Sequence, residues 1–149
     1  MLHAGDEAPD FSLESDEGET VTLSALRGRP VVFYFYPKDD TPGCTAQACS
    51  LRDGYGEIAA LGAALYGISP DDADSHRSFR AKFALPFPLL VDTGHGVAER
   101  YGVWVERDNG RMGILRSSFV VGPDGRLVQA SYGVKPEDTT PEALAALTA

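Results

Sequence analysis

The strongest pattern in the chain is Val31 to Tyr36, Val-Val-Phe-Tyr-Phe-Tyr, an unbroken run of β-branched and aromatic residues. A strand with water on one face alternates apolar and polar positions. A run without that alternation indicates a strand buried on both faces, at the centre of a helix-covered sheet. Pro37 ends the run, and Lys38 to Gly43 read as a polar loop containing a Thr-Pro-Gly turn. From Cys44 onward, Ala48, Leu51, Tyr55, Ile58 and Gly62 recur at steps of three and four, the apolar stripe of an amphipathic helix. The order strand, loop, helix therefore puts Cys44 at a loop–helix junction.

Further strands are expected at Ala64 to Ile68, Leu89 to Val91, Phe119 to Val121 and Leu127 to Ser131, and helices near Ser75 to Phe83, Gly96 to Tyr101 and Pro141 to Leu147. The last two strands flank Gly122-Pro123-Asp124-Gly125, whose Asp-Gly pair favours a hairpin. Alternating β and α segments that end in a hairpin and a closing helix predict an α/β sandwich with a mixed sheet. No internal repeat, low-complexity tract or linker interrupts the chain, and 149 residues suffice for one core, so residues 1–149 are expected to form one domain.

Charge narrows the function. Thirteen basic against twenty-two acidic residues give a formal charge of −9, which repels phosphate backbones and anionic lipid surfaces, so nucleic acid and membrane are not expected partners. The acidic residues are dispersed and read as a solvated surface. The start, Met-Leu-His-Ala-Gly-Asp, has no charged segment followed by an apolar one, and no apolar run approaches the ~20 residues of a membrane span. A cytoplasmic location is expected. Cysteines in that compartment are kept reduced, which leaves catalysis, metal binding or plain burial for Cys44 and Cys49. Two cysteines and the scattered His3, His76 and His95 supply no paired metal-ligand spacing, so no metal site or cofactor is expected.

A cysteine at a helix start faces unpaired backbone N–H groups and the positive end of the helix dipole, both of which favour a thiolate. The loop before it makes the pattern specific. Pro37-Lys38-Asp39-Asp40-Thr41-Pro42-Gly43-Cys44 resembles the Pro-x-x-x-Thr-x-x-Cys signature of peroxiredoxins. The longer stretch Phe33 to Asp53, with Cys-Thr-Ala-Gln-Ala-Cys at Cys44 to Cys49, is similar to the peroxiredoxin Q group, also called bacterioferritin comigratory proteins. Gly5 to Leu13, Phe87 to Asp92, Tyr101 to Trp104 and Arg116 to Phe119 follow in the order of that family. The chain departs from it between Trp104 and Arg116, where it is shorter, and from Tyr132 to Ala149.

The resemblance implies a thioredoxin-like fold, a central mixed β-sheet flanked by helices, in a monomer. It implies a peroxidatic Cys44 that becomes a sulfenic acid and a resolving Cys49 that condenses with it. Hydrogen peroxide and alkyl hydroperoxides are then the substrates, and thioredoxin or a similar dithiol the reductant. Thr41 carries a hydroxyl that can bridge thiolate and peroxide. Arg116, matched by its place before Ser-Ser-Phe-Val-Val, would supply a permanent charge beside the sulfur. Pro37 would shield the sulfur from solvent while also terminating the strand. Gln47, one turn into the helix, is either a site contact or an exposed helix position. A redox sensor would share the first chemical step, and sustained turnover separates the two readings.

The spacing of the two cysteines carries its own consequence. In a continuous helix five steps separate two Cα atoms by about 8.6 Å, whereas a disulfide needs roughly 4.4 to 6.8 Å. If both cysteines lie in one helix when reduced, its first turn or more must unwind before the disulfide closes. Gly54 and Gly56 each weaken the continuation of that helix by about 1 kcal/mol relative to alanine.

Overall fold

A computed structural model describes residues 1–149. In chain order it contains β1 (Ser12–Ser15), β2 (Thr20–Thr22), a 3-10 turn (Leu23–Leu26), β3 (Val31–Phe35), α1 (Pro42–Ala60), β4 (Ala64–Ser69), α2 (Ala73–Phe83) and β5 (Leu89–Val91). There follow α3 (Gly96–Arg100), β6 (Trp104–Glu106), β7 (Met112–Ile114), β8 (Ser117–Val121), β9 (Leu127–Tyr132), a second 3-10 turn (Pro136–Asp138) and α4 (Thr139–Thr148). No helix is long and apolar enough to cross a membrane.

Seven strands form one mixed sheet in the order β2-β1-β5-β4-β3-β8-β9, and β6 and β7 form a separate two-stranded hairpin. As the unbroken apolar run requires, β3 lies inside the sheet, parallel to β4 and antiparallel to β8, with all five residues buried. Its side chains divide by the strand period. Val31, Phe33 and Phe35 enter one core with Phe11, Tyr101 and Phe119, and Val32 and Tyr34, followed by Tyr36, enter the other with Leu51, Ile58, Phe79 and Phe87. Gly122 to Gly125 closes the β8–β9 hairpin as expected, with Gly125 at φ +84° and its N–H donating to the Gly122 carbonyl at 3.0 Å.

Several elements differ from the sequence reading. β1 (Ser-Leu-Glu-Ser), β2 (Thr-Val-Thr), β6 and β7 were not expected, because strands of three or four residues that stay half-exposed carry too little periodicity to separate them from loops. The larger correction concerns α1. Pro42 and Gly43 are not a turn in the loop but the first two residues of the helix, behind an extended Thr41 at φ −101°, ψ 155°. Proline suits that position because its missing N–H would have had no helical partner. Cys44 is therefore the third helical residue. At the other end Gly62 lies beyond the helix at φ +80° and is not part of its stripe.

Gly54 also has a role the sequence did not suggest. A Cβ there would lie 2.6 Å from Thr140 Cγ2, so the glycine lets α4 approach α1, whereas Gly56 faces open space. Ser50 and Thr140 share a hydroxyl hydrogen bond of 2.9 Å across the same contact. The poorly matched C-terminal segment thus covers the side of α1 that follows the cysteines.

Candidate active site

Cys44 lies in the first turn of α1, 1% exposed, between β3 and the helices that cover its inner face. It lies in the turn where a helix's backbone N–H groups lack intrahelical partners, and a permanent cation stands beside it. Arg116 Nη2 donates to Cys44 Sγ at 3.5 Å and Nη1 donates to Gln47 Oε1 at 2.7 Å. Arg116 occupies the link between β7 and β8, where its backbone carbonyl accepts from Val134 N at 2.9 Å. The guanidinium reaches the sulfur by passing directly over Gly43, where a Cβ would stand 2.9 Å from Arg116 Nη2. A fixed cation and a helix N-terminus thus both stand next to Sγ.

The alternatives for Gln47 are resolved by its burial. It is 0% exposed, accepts from Arg116 and donates through Nε2 to Thr139 Oγ1 at 2.9 Å, and Thr139 in turn donates to the Lys135 carbonyl at 3.2 Å. The arginine is thus held by a side chain of α1, itself held by the start of α4. Thr41 is half-buried at the helix N-cap and donates its hydroxyl proton to the Lys38 carbonyl at 2.9 Å, which leaves its oxygen as an acceptor for an arriving group. Pro37 stands exposed directly after β3. Cys49 is half-buried in the same helix, and both thiols are free.

Next to the loop lies a polar cluster that the sequence reading missed. Asp39, buried at 7% exposure, accepts from Tyr36 Oη at 2.6 Å and from Ser75 Oγ at 2.8 Å, and its Oδ2 lies 2.7 Å from His76 Nδ1. Its backbone N–H donates to Asp71 Oδ2 at 2.7 Å, and Ser69 Oγ donates to the same oxygen at 2.7 Å. His76, fully buried on α2, also reaches the Leu90 carbonyl with Nε2 at 2.8 Å. Burial alone would push the imidazole pKa down, but the hydrogen bond and charge of Asp39, helped by the Leu90 carbonyl and Asp71, raise it above the usual histidine value. Spacing along the chain did not reveal that Asp39, Asp71 and His76 bring ligand-type atoms within 4.8 Å of one another. All three are engaged by protein partners. A buried acid two residues after Pro37 leaves no mark in the hydropathy pattern, since Lys38, Asp39 and Asp40 all read as solvated.

Comparison with known proteins gives the family and the fold. The family model described as AhpC/TSA matches residues 4–130. The chain is 46% identical over 149 residues to peroxiredoxin Bcp of Bacillus subtilis, covering 98% of this chain and 95% of that protein. It is 44% identical over 137 residues to a putative peroxiredoxin of Mycobacterium tuberculosis, covering 90% and 87%. Among solved structures, a cysteine-to-serine variant of Xylella fastidiosa PrxQ superposes with a TM-score of 0.94 at 31% identity, covering 99% and 96% of the two chains. A bacterioferritin comigratory protein of Xanthomonas campestris, solved as trapped intermediate and ligand complexes to study its alkyl peroxide reduction activity, gives 0.88 at 36% identity, covering 93% and 90%. The mixed sheet flanked by helices is therefore the thioredoxin-like fold of these proteins, and the chain belongs to the AhpC/TSA family as a peroxiredoxin of the Bcp and peroxiredoxin Q group.

Proposed function

We propose that the 149 residues act as one domain, a monomeric thiol peroxidase, in which Cys44 attacks the hydroperoxide and Cys49 resolves the product. The observation that carries this reading is Arg116 Nη2 at 3.5 Å from a buried sulfur in the first turn of α1. In the first step the Cys44 thiolate attacks one peroxide oxygen, the O–O bond breaks, and the other oxygen leaves as hydroxide or alkoxide, which takes a proton from solvent to become water or alcohol. The sulfur is oxidised to a sulfenic acid. Charge moves from sulfur to the departing oxygen, and a preorganised cation with helix-start amides stabilises that movement at little reorganisation cost. Thr41 offers an oxygen acceptor to the peroxide proton, and Pro37 limits water at the loop.

In the second step the Cys49 thiolate attacks Cys44 Sγ, the S–O bond breaks, the sulfenic oxygen leaves as hydroxide that takes a proton from solvent to become water, and a disulfide forms. A dithiol protein such as thioredoxin supplies two electrons and two protons to restore both thiols. The helix from Pro42 to Ala60 is continuous with both cysteines reduced, and at about 8.6 Å between Cα atoms it must open before the bond can close. Opening frees Gln47 from Arg116 and Thr139 and exposes new surface to the reductant. Hydrogen peroxide and alkyl hydroperoxides are the substrates in this reading, and the cytoplasm its location.

The test is consumption of NADPH driven by hydrogen peroxide with thioredoxin and its reductase. Sustained turnover is expected, with faster amide exchange over Cys44 to Cys49 in the disulfide form. Consumption of one equivalent per chain, or a disulfide form whose helix stays equally protected, rejects the reading.

A further inference from the structure

We propose that His76 is a positioning residue for peroxide reduction, acting as an imidazolium through Asp39 to hold the loop that presents Thr41 and Cys44. The inference rests on the reading of Cys44 as the peroxide-attacking cysteine. It begins with the ring nitrogens. Nε2 lies 2.8 Å from the Leu90 carbonyl, which can only accept, so Nε2 carries a proton. Nδ1 lies 2.7 Å from Asp39 Oδ2, an oxygen that already accepts from Ser75, while Asp39 Oδ1 accepts from Tyr36. A carboxyl group whose two oxygens already accept from Tyr36 and Ser75 is an ionised acceptor, so Nδ1, which faces it, carries a proton as well. The charged groups that face His76 are two carboxylates, Asp39 from the loop and Asp71 from the link before α2. From the end of β3 it meets the Tyr36 ring at 6.4 Å between centroids, from its own helix Ser75 reaches the same Asp39 oxygen, and from β5 it meets the Leu90 carbonyl.

This pair fixes the route of the loop. Asp39 is held from four sides, by Tyr36, Asp71, Ser75 and His76. Asp40 then takes the left-handed conformation at φ +57°, uncommon for a residue other than glycine, and its carboxylate pairs with Lys82 of α2 at 2.8 Å. Thr41 follows as the extended N-cap, and α1 begins. With Asp39 five positions before Cys44, a shift of the anchor is passed to the helix start. Misplacing reacting groups by about 1 Å can cost on the order of 100-fold in rate.

The charge state gives the anchor a pH dependence of definite sign. A histidine whose folded pKa is raised contributes its full stabilisation below the ordinary value of about 6.5 and loses it as pH rises through the folded value. Once neutral, the ring keeps its Nε2 proton for Leu90 and turns an Nδ1 lone pair toward a carboxylate oxygen 2.7 Å away. Ionisation of an attacking thiol can only add nucleophile as pH rises. A decline on the alkaline side therefore reports the anchor.

The experiment measures the second-order rate of Cys44 oxidation by hydrogen peroxide in single-turnover mixing, across the neutral and alkaline range, for the full chain and for His76→Asn, Asp39→Asn, the double variant and Cys44→Ser. The expected result is an alkaline decline in the unmodified chain, a rate at least about tenfold lower at neutral pH in each single anchor variant without that decline, and no further loss in the double variant. In the unmodified chain, nitrogen NMR of the histidine rings is expected to show His76 doubly protonated at neutral pH, a readout that holds even if His76→Asn fails to fold. A neutral His76 ring, or His76→Asn with the original rate and pH profile while Cys44→Ser is inactive, overturns the proposal and leaves Cys44 in its role. Full activity in Cys44→Ser instead removes the reading on which the proposal rests.

Discussion

Both faces of β3 bury aromatic side chains, yet they do different work. On one face Phe33 packs against Tyr101 at 5.3 Å and Phe119 at 5.6 Å between ring centroids, and Tyr101 meets Phe119 at 5.1 Å. The chief polar atom there, Tyr101 Oη, donates to the Pro9 carbonyl at 2.6 Å and ties down the N-terminal segment. On the other face Val32, Tyr34 and Tyr36 share their core with Cys44, beside which Gln47, Asp39 and His76 are also buried. Each of these polar side chains has partners, and those partners reach the helix start or the loop that leads to it. An apolar face contributes stability that tolerates no chemistry. Paired polar groups such as Gln47, Asp39 and His76 can hold a reactive atom in place, because leaving one of them unpaired would cost about 1 to 3 kcal/mol.

The sharpest way to break this comparison is Cys44→Ser, expected to leave no detectable peroxide turnover in the thioredoxin-coupled assay while the unfolding midpoint in urea barely moves. Phe33→Ala, on the apolar face, is expected to do the reverse. It should cost about 3 to 5 kcal/mol of stability in urea titration, with activity per folded molecule unchanged. A large loss of turnover in folded Phe33→Ala would show that the faces are not separate in function. Arg116→Met is next, expected to raise the barrier to Cys44 oxidation by about 2 kcal/mol, roughly 30-fold in single-turnover rate. An unchanged rate would assign the charge beside Sγ to another group. The smallest effects belong to two glycines of α1. Gly56→Ala, facing open space, should stabilise by about 0.5 to 1 kcal/mol. Gly54→Ala, against Thr140, should destabilise by about 1 kcal/mol net, overpacking outweighing helix propensity. Equal shifts in thermal unfolding would deny the close approach of α4.

The central strand, the hairpin at Asp124-Gly125 and the helix after Cys44 were legible because each rests on a local rule: an apolar run, a turn dipeptide, a periodic stripe. β1, β2 and the β6–β7 hairpin were not, because short strands with half-exposed residues are defined by their partners rather than by their own pattern. The helix boundary was misjudged by two residues because Thr-Pro-Gly signals both a turn and a helix start, and only the backbone distinguishes them. Cys44 and Thr41 could be singled out from the motif, and Arg116 only from its place in the family's order. Nothing local separates Arg116 from other arginines, and its proximity to Cys44 spans 72 positions. Asp39 and His76 were invisible for the same reason, since their contact spans 37 positions and both residue types ordinarily face water.

The chain of contacts from Arg116 through Gln47 to Thr139 has a consequence for how the molecule matures. Its hydrogen bonds join positions 69 and 92 residues apart, so they close late in a folding process that favours short loops first. A chain whose sheet has formed but whose α4 is still undocked already contains both thiols, yet its arginine is not tethered over Gly43. Such a molecule carries its cysteines without that fixed cation. Docking of the last helix is then the event that completes the contacts holding Arg116 beside the sulfur.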